Sequence, residues 1–295
     1  MERKKTKQKN YYAMYLAAPA AFFYSLFIIV PFIMSILLSF TDWNIERLYM
    51  PVLRGIDNYL TIFKDPIFVR SLLNTLLFAI STTILKMLFG LLLALGLTKA
   101  TRLNSLLRTI FYVPCVLSPL IIGVIFTSIL AKEGLFNHLL QAVGLSSFAM
   151  DWLSKYASAM SSVILIEGWM WSGFNMFIFI SGLQAIPRDY YEAADTEGVS
   201  KWNQFKYITL PLLIPSFTVI ITLNITGSLK VFDLIYVLTN GGPGFDTQVL
   251  STFTYRAFGL GLLGESSASS VVLMLVVMVI SFTLNRVLKK REVEM

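Results

Sequence analysis

Apolar residues along this chain gather into runs of about 20 or more, separated by shorter polar stretches, and they follow neither the period of a soluble amphipathic helix nor that of a strand. A helix of about 20 apolar residues crosses roughly 30 Å of hydrocarbon, and only a helix or a closed barrel satisfies its own backbone there. The pattern predicts six transmembrane helices, at residues 13–40, 72–98, 109–130, 160–183, 211–229 and 267–288. Pro31, Pro114, Pro119 and Pro215 fall inside these runs. Neighbouring helices can satisfy the carbonyls that proline frees, so kinks are expected there rather than breaks.

Composition agrees with a polytopic membrane protein: of 295 residues 56% are hydrophobic and 14% charged, with a mean hydropathy of +0.70. The first run follows a polar tail, residues 1–12, and is too long for a cleavable signal sequence, so it reads as a retained span. Cys115 and His138 are the only residues of their kinds. A disulfide framework, a Cys/His metal site and most membrane-enzyme designs are thereby disfavoured. The net charge of +7 is spread over separate loops, which argues against a nucleic-acid groove. If the N-terminus is cytoplasmic, 15 Lys and Arg lie on the cytoplasmic side: Arg3, Lys4, Lys5, Lys7, Lys9, the 99–108 and 188–206 loops, and the C-terminal end with Lys290 and Arg291. The opposite loops hold 8. The positive-inside rule then places both termini in the cytoplasm.

One loop on that side is unusual. The stretch EAADTEGVSKWNQFKYITLP, 192–211, is polar and helix-forming between two apolar runs. Asp189 after Pro187 is placed to cap a short helix, Gly198 to end it, and Ser200 to cap a second; Pro211 suits the first turn of the next span. Ala193 and Ala194 reduce bulk on the first helix and so permit close approach by a partner. A plain amphipathic connector is the alternative reading.

The spacing E-A-A, three residues, G, nine residues, I, one residue, L-P is met by Glu192, Ala193, Ala194, Gly198, Ile208, Leu210 and Pro211. It resembles the cytoplasmic loop of permease subunits of binding-protein-dependent ABC importers. A second block, LTNGGPGFDTQVLSTFTYRAF at 238–258, is similar to an external loop of the carbohydrate-uptake, maltose-transporter-type permeases, and LQAIPRDYYEAA points the same way. The resemblance covers roughly residues 70–291 and implies an all-α, type I ABC importer permease fold. The 188–211 segment would be its coupling helix region, docking in a groove of a cytoplasmic ATPase. It lacks the additional N-terminal spans and large external domain of the maltose subunit that shares the TNGGP block. The implied assembly holds a second homologous permease, most simply as a heterodimer, two ABC ATPase subunits and an extracytoplasmic solute-binding protein, in the plasma membrane of a prokaryote. No G-x-x-x-x-G-K-[ST] phosphate loop occurs in the chain. The resemblance therefore implies no catalytic residue, metal or cofactor here, with ATP and Mg used by the partner ATPase.

Matched to the sugar-contacting positions of the maltose-type permease, the resemblance marks Trp171, Ser172 and Asn175 in one span and Asn224 and Ser228 in the next. An aromatic face against the C–H face of a pyranose, with amides bridging hydroxyls, suits sugar binding. The alternative is hydrogen bonding between helices by Asn and Ser. Lys86 and Glu167 also lie in spans, where they can face a cavity, pair with another helix or snorkel. Sugar or oligosaccharide uptake is the leading function. Another small polar cargo such as glycerol phosphate stands behind it, and an ion-coupled secondary transporter is less favoured because the halves show no repeat. Single cysteines replacing Glu197 and Asp246 in a Cys115→Ser background should label from opposite sides of the membrane; labelling of both from one side overturns this topology.

Overall fold

A computed structural model of the protein describes residues 11–289. The basic residues Arg3, Lys4, Lys5, Lys7, Lys9, Lys290 and Arg291 invoked for orientation lie outside that range. Helix α1 (residues 11–38) passes through a π turn at Ser25–Ile29. The turn lies directly upstream of Pro31, which lacks the N–H that would continue the regular ladder. α2 (Asp57–Lys64) leads into α3 (Pro66–Leu97), whose start is set by Pro66 in the first turn and by the Asp65 side chain accepting from the Ile67 N–H at 2.8 Å. α4 (Arg102–Val116), α5 (Pro119–Leu130) and α6 (Leu135–Ala142) precede the second long helix, α7 (Tyr156–Ala185). The polar loop holds α8 (Asp189–Thr196) and α9 (Lys201–Leu212). α10 (Ile214–Ser228), α11 (Asp233–Thr239), α12 (Leu250–Gly259) and α13 (Leu263–Lys289) complete the described residues.

Four helices are long and apolar enough to span a membrane unbroken, within α1, α3, α7 and α13, and two bent pairs complete six. The third expected span is one of these pairs. α4 and α5 meet at 96°, so the chain breaks where only kinks were expected. Ser118 precedes Pro119, and the proline ring disfavours the helical region for the residue before it; Leu117 and Ser118 are extended, with ψ of 148° and 131°. Pro114, by contrast, is carried inside α4. The fifth expected span falls on the other pair, where α9 and α10 meet at a 61° bend and Pro215 sits in the first turn beyond it.

α3 shows how a membrane helix divides its faces. Leu73, Leu77, Ile80, Ile84, Leu88 and Leu92 are exposed at helical spacing, forming the stripe that lipid chains can solvate. Its opposite face is buried and polar: Ser71, Asn74, Thr75, Thr82, Thr83 and Lys86. This inside-out arrangement places hydrogen-bonding groups between helices, where hydrophobic driving force is weak and polar contacts and close packing hold the bundle. α3 packs most intimately on α7. An added side chain at Gly90 would lie 2.6 Å from Asn175 Cβ, and one at Gly173 would lie 2.1 Å from the Phe111 carbonyl oxygen in α4, so small residues set both approaches. At the other end Ala94, Met176, Phe179, Ile180, Leu213 and Ile220 join α3, α7 and α10 into an apolar cluster. The 238–258 block is tied across the bundle: Asn74 donates to the carbonyls of Asp246 and Gln248 at 2.6 and 2.9 Å, Tyr156 donates to Asn74 at 3.0 Å, and Arg70 pairs with Asp246 at 2.9 Å.

Gly90→Val should therefore cost about 1–3 kcal/mol through overpacking. Gly96→Val, on the same helix but with nothing within 4 Å of the added carbon, should be near neutral. Thermal melts of the two purified variants in detergent check this, and equal melting temperatures would contradict the packing described.

Candidate functional site

Two regions carry chemistry. The first lies between α3, α7 and α10, where Lys86, Glu167, Trp171, Phe174, Leu223, Asn224 and Gly227 line a cavity of roughly 280 Å³. Burying a charge in a membrane helix is costly unless it is paired. Lys86, 3% exposed, donates from Nζ to Glu167 Oε1 at 2.7 Å and to Ser228 Oγ at 3.1 Å. The Trp171 ring covers a further side of the ammonium, its centroid 5.8 Å from Nζ. Thr82 Oγ1 lies 3.0 Å from Ser228 Oγ. Three helices thus meet on one ammonium group.

A second link runs beside it. Asn224 Nδ2 donates to Asn175 Oδ1 at 2.8 Å, and Asn175 Nδ2 donates to the Trp171 carbonyl at 2.9 Å. Asn175 is fully buried under Gly90 and its amide is engaged within the protein, so it positions Asn224 rather than lining the space itself. Of the five span residues marked from sequence, Trp171 and Asn224 line the cavity, while Asn175 and Ser228 support it from behind. Ser172 is not joined to them: its hydroxyl donates to the Trp169 carbonyl of its own helix at 2.7 Å. The two residues whose role was left open, Lys86 and Glu167, line the cavity as a buried pair. Their opposite charges within separate apolar runs were the available signal, but sequence does not say that α3 and α7 are neighbours.

The second region is the polar loop. α8 starts at its expected cap, one residue early: Arg188 holds the cap position with helical backbone and no capping side chain, and Asp189 is already in the first turn. With Pro187 at the entry, the turn begins at Arg188, whose carbonyl accepts from the Tyr191 and Glu192 N–H groups. Gly198 ends α8 at φ +70°, and the Val199 N–H bonds the Ala194 carbonyl at 2.9 Å, a left-handed closure that glycine adopts without strain. Ser200 caps α9 as expected, accepting from the Asn203 N–H. The two alanines do not share a face: Ala194 is buried, and Ala193 is exposed beside Glu192. Pro211 lies within α9 rather than opening the next span, just after a π turn at Phe205–Thr209 that its missing N–H accounts for. Ile208 and Leu210 are half-buried.

The two short helices are locked together. Asp195 accepts from Lys201 Nζ at 2.6 Å and from the Gln204 amide, whose Nε2 also reaches the Val199 carbonyl at 3.0 Å. These donors, Lys201 first, hold the Asp195 carboxyl below the usual carboxylate range. The lowered value means that the clamp's contribution is present above the ordinary aspartate range and fades only as pH falls through the lowered pKa. Tyr191 and Thr209 hydroxyls meet at 2.9 Å, and Ile186 and Tyr191 join the apolar cluster at the feet of α7 and α10. Facing away from the bundle are Tyr190, Glu192, Ala193, Trp202 and Tyr207, all exposed.

A six-span helical bundle with a polar loop of this kind defines the type I permease subunits of ABC importers. The chain belongs to the family described as binding-protein-dependent transport system inner membrane component, whose model matches residues 86–293, and it is a multi-pass membrane protein of that class. It is similar to a probable starch degradation products transport system permease protein, AmyD, of Thermoanaerobacterium thermosulfurigenes, with 32% identity covering 94% of each chain. The lactose transport system permease protein LacF of Rhizobium radiobacter is 32% identical over 93% of this chain and 94% of its own. Among solved structures, a bacterial ABC transporter that imports the acidic polysaccharide alginate shares the fold with a TM-score of 0.80 at 24% identity, covering 95% of this chain and 94% of that one.

The Asn175–Asn224 link should show as a coupling on the order of 1 kcal/mol in a double-mutant cycle of Asn175→Ala and Asn224→Ala, read from unfolding of the purified chain. Ser172→Ala, which removes only a bond to its own helix, should change stability by less than about 0.5 kcal/mol. Additive asparagine variants would refute the link.

Proposed function

We propose that the chain forms half of the translocation path of an ABC importer for sugars or oligosaccharides and couples that path to a separate ATPase. The observation that carries this reading is the cavity between α3, α7 and α10. It combines an aromatic wall, Trp171, with the amide of Asn224 and a carboxylate, in a membrane interior where polar groups are retained for a path or a partner. An indole face supports the apolar face of a pyranose while amide and carboxylate groups bond its hydroxyls. The relatives AmyD and LacF, named for the transport of starch degradation products and of lactose, support the same cargo class. A glycerol phosphate-type solute is the second reading.

Coupling would run through Glu192, Ala193, Ala194, Gly198, Ile208, Leu210 and Pro211. The exposed aromatic face of α8 and α9, with Tyr190, Trp202 and Tyr207, is chemically suited to a protein groove. The chain's partners in this reading are a second homologous permease, two ATPase subunits and an extracytoplasmic solute-binding protein. Hydrolysis of ATP with Mg belongs to the ATPase, and this chain contributes no cofactor or catalytic group.

Reconstituted importer tests both halves of the reading. Trp171→Leu should cut sugar uptake roughly tenfold, the effect of losing on the order of 1.4 kcal/mol of cargo binding, and leave ATP hydrolysis stimulated by loaded binding protein largely intact. Gly198→Val, which strains a left-handed turn, should lower uptake and ATPase association together, with Gly198→Asn less affected. Normal uptake in both the Trp171 and the Gly198→Val variants would remove this assignment.

A further inference from the structure

We infer that Glu167 is a specificity-determining residue that restricts the cavity to uncharged, hydroxyl-rich cargo and rejects acidic sugars and phosphate esters. The inference rests on the cavity being the cargo path, and it follows from how the charges there are already used. Among the described residues the one basic side chain lining the cavity is Lys86, and its ammonium is committed: it donates to Glu167 Oε1 and to Ser228 Oγ, lies under the Trp171 ring, and is 3% exposed. An anion could claim it only by displacing a carboxylate held at 2.7 Å.

The carboxylate is placed differently. Glu167 spends Oε1 on Lys86, while Oε2 has no hydrogen-bond partner among the described residues and is not among the polar atoms sealed from the cavity. Its side chain is 9% exposed, a buried acceptor with one open oxygen. An ionised carboxylate oxygen accepts hydroxyl protons strongly and offers nothing to another anion except repulsion. Asn224 adds to the same site: one Nδ2 proton is held by Asn175, its second N–H is a neutral donor, and its Oδ1, without a partner among the described residues, is a second acceptor. The cavity therefore presents an aromatic wall, two acceptors and a neutral amide N–H. Neutral polyols donate to such groups from several hydroxyls at once, whereas a carboxylate or phosphate would be desolvated beside Oε2 with no free cation to receive it. Sequence relatives do not decide this point, since cargo charge depends on whether the lining ammonium is committed or free.

The test bypasses the binding protein, which imposes its own selection. In the purified importer with Cys115→Ser and Leu223→Cys, a half-exposed cavity residue, alkylation of the new thiol is followed while a panel of neutral oligosaccharides and their uronic-acid counterparts is added. Neutral sugars should protect at concentrations at least tenfold lower than their acids. Glu167→Gln keeps an oxygen for Lys86 but removes the negative charge, so the acids should gain roughly tenfold and the neutral sugars should lose severalfold. Glu167→Asp, which retains the carboxylate, should keep the exclusion of acids. Equal protection by both classes in the parent protein, or an unchanged ratio in Glu167→Gln, overturns the inference and leaves the sugar-path reading standing. Protection by no sugar of either class removes that reading and the inference with it.

Discussion

The close contact between α3 and α7 is the constraint on which the remaining architecture depends. Gly90 lets the two backbones approach until Asn175 fills the space a side chain would have taken, and the Lys86–Glu167 pair closes the same interface nearby. In hydrocarbon an unpaired ammonium or carboxylate is costly, so each charge requires the other helix to be present at the right height. That requirement fixes register as well as proximity. α10 is then added through polar contacts to both helices, Ser228 with Lys86 and Thr82 of α3 and Asn224 with Asn175 of α7. The cavity is what remains between three helices joined by these few bonds.

Away from this junction the bundle uses ordinary means. The exposed apolar stripe of α3 suits lipid chains, and the apolar cluster around Phe179 and Leu213 joins helix feet to the loop helices. The loop keeps its own shape through the Asp195, Lys201 and Gln204 contacts, so it is a folded unit seated on the bundle and not a flexible strap.

Much of this was legible in the chain. Runs of apolar residues marked the spans because backbone satisfaction in a bilayer leaves few alternatives, and Gly198 and Ser200 marked the joint between the loop helices because one closes a left-handed turn and the other caps the next helix. The 96° break at Leu117 and Ser118 was not legible as a break. Proline inside a membrane helix is carried at Pro114, whereas ahead of Pro119 both Leu117 and Ser118 are extended and the helix ends. The same limit applies to the cavity. Trp171, Asn224 and Ser228 could be selected as polar or aromatic residues in spans, but separating the lining residues from their supports required knowing which amide meets which. Lys86 and Glu167 acquire meaning only once α3 and α7 are side by side.

The attachment of the loop to the feet of α7 and α10 has a mechanical consequence. Tyr191 bonds Thr209, and Ile186 and Leu213 share one apolar cluster, so a push on the loop would be delivered to the base of two of the three helices that wall the cavity. Glu167 stands 18 residues above Ala185, the last residue of α7, a lever arm of about 27 Å at the helical rise. Tilting that lever by about 5° at its foot swings the carboxylate by roughly 2 Å. Such a swing is comparable to the difference between a made and a broken hydrogen bond, so a modest movement at the membrane surface suffices to open or close the grip deep inside it.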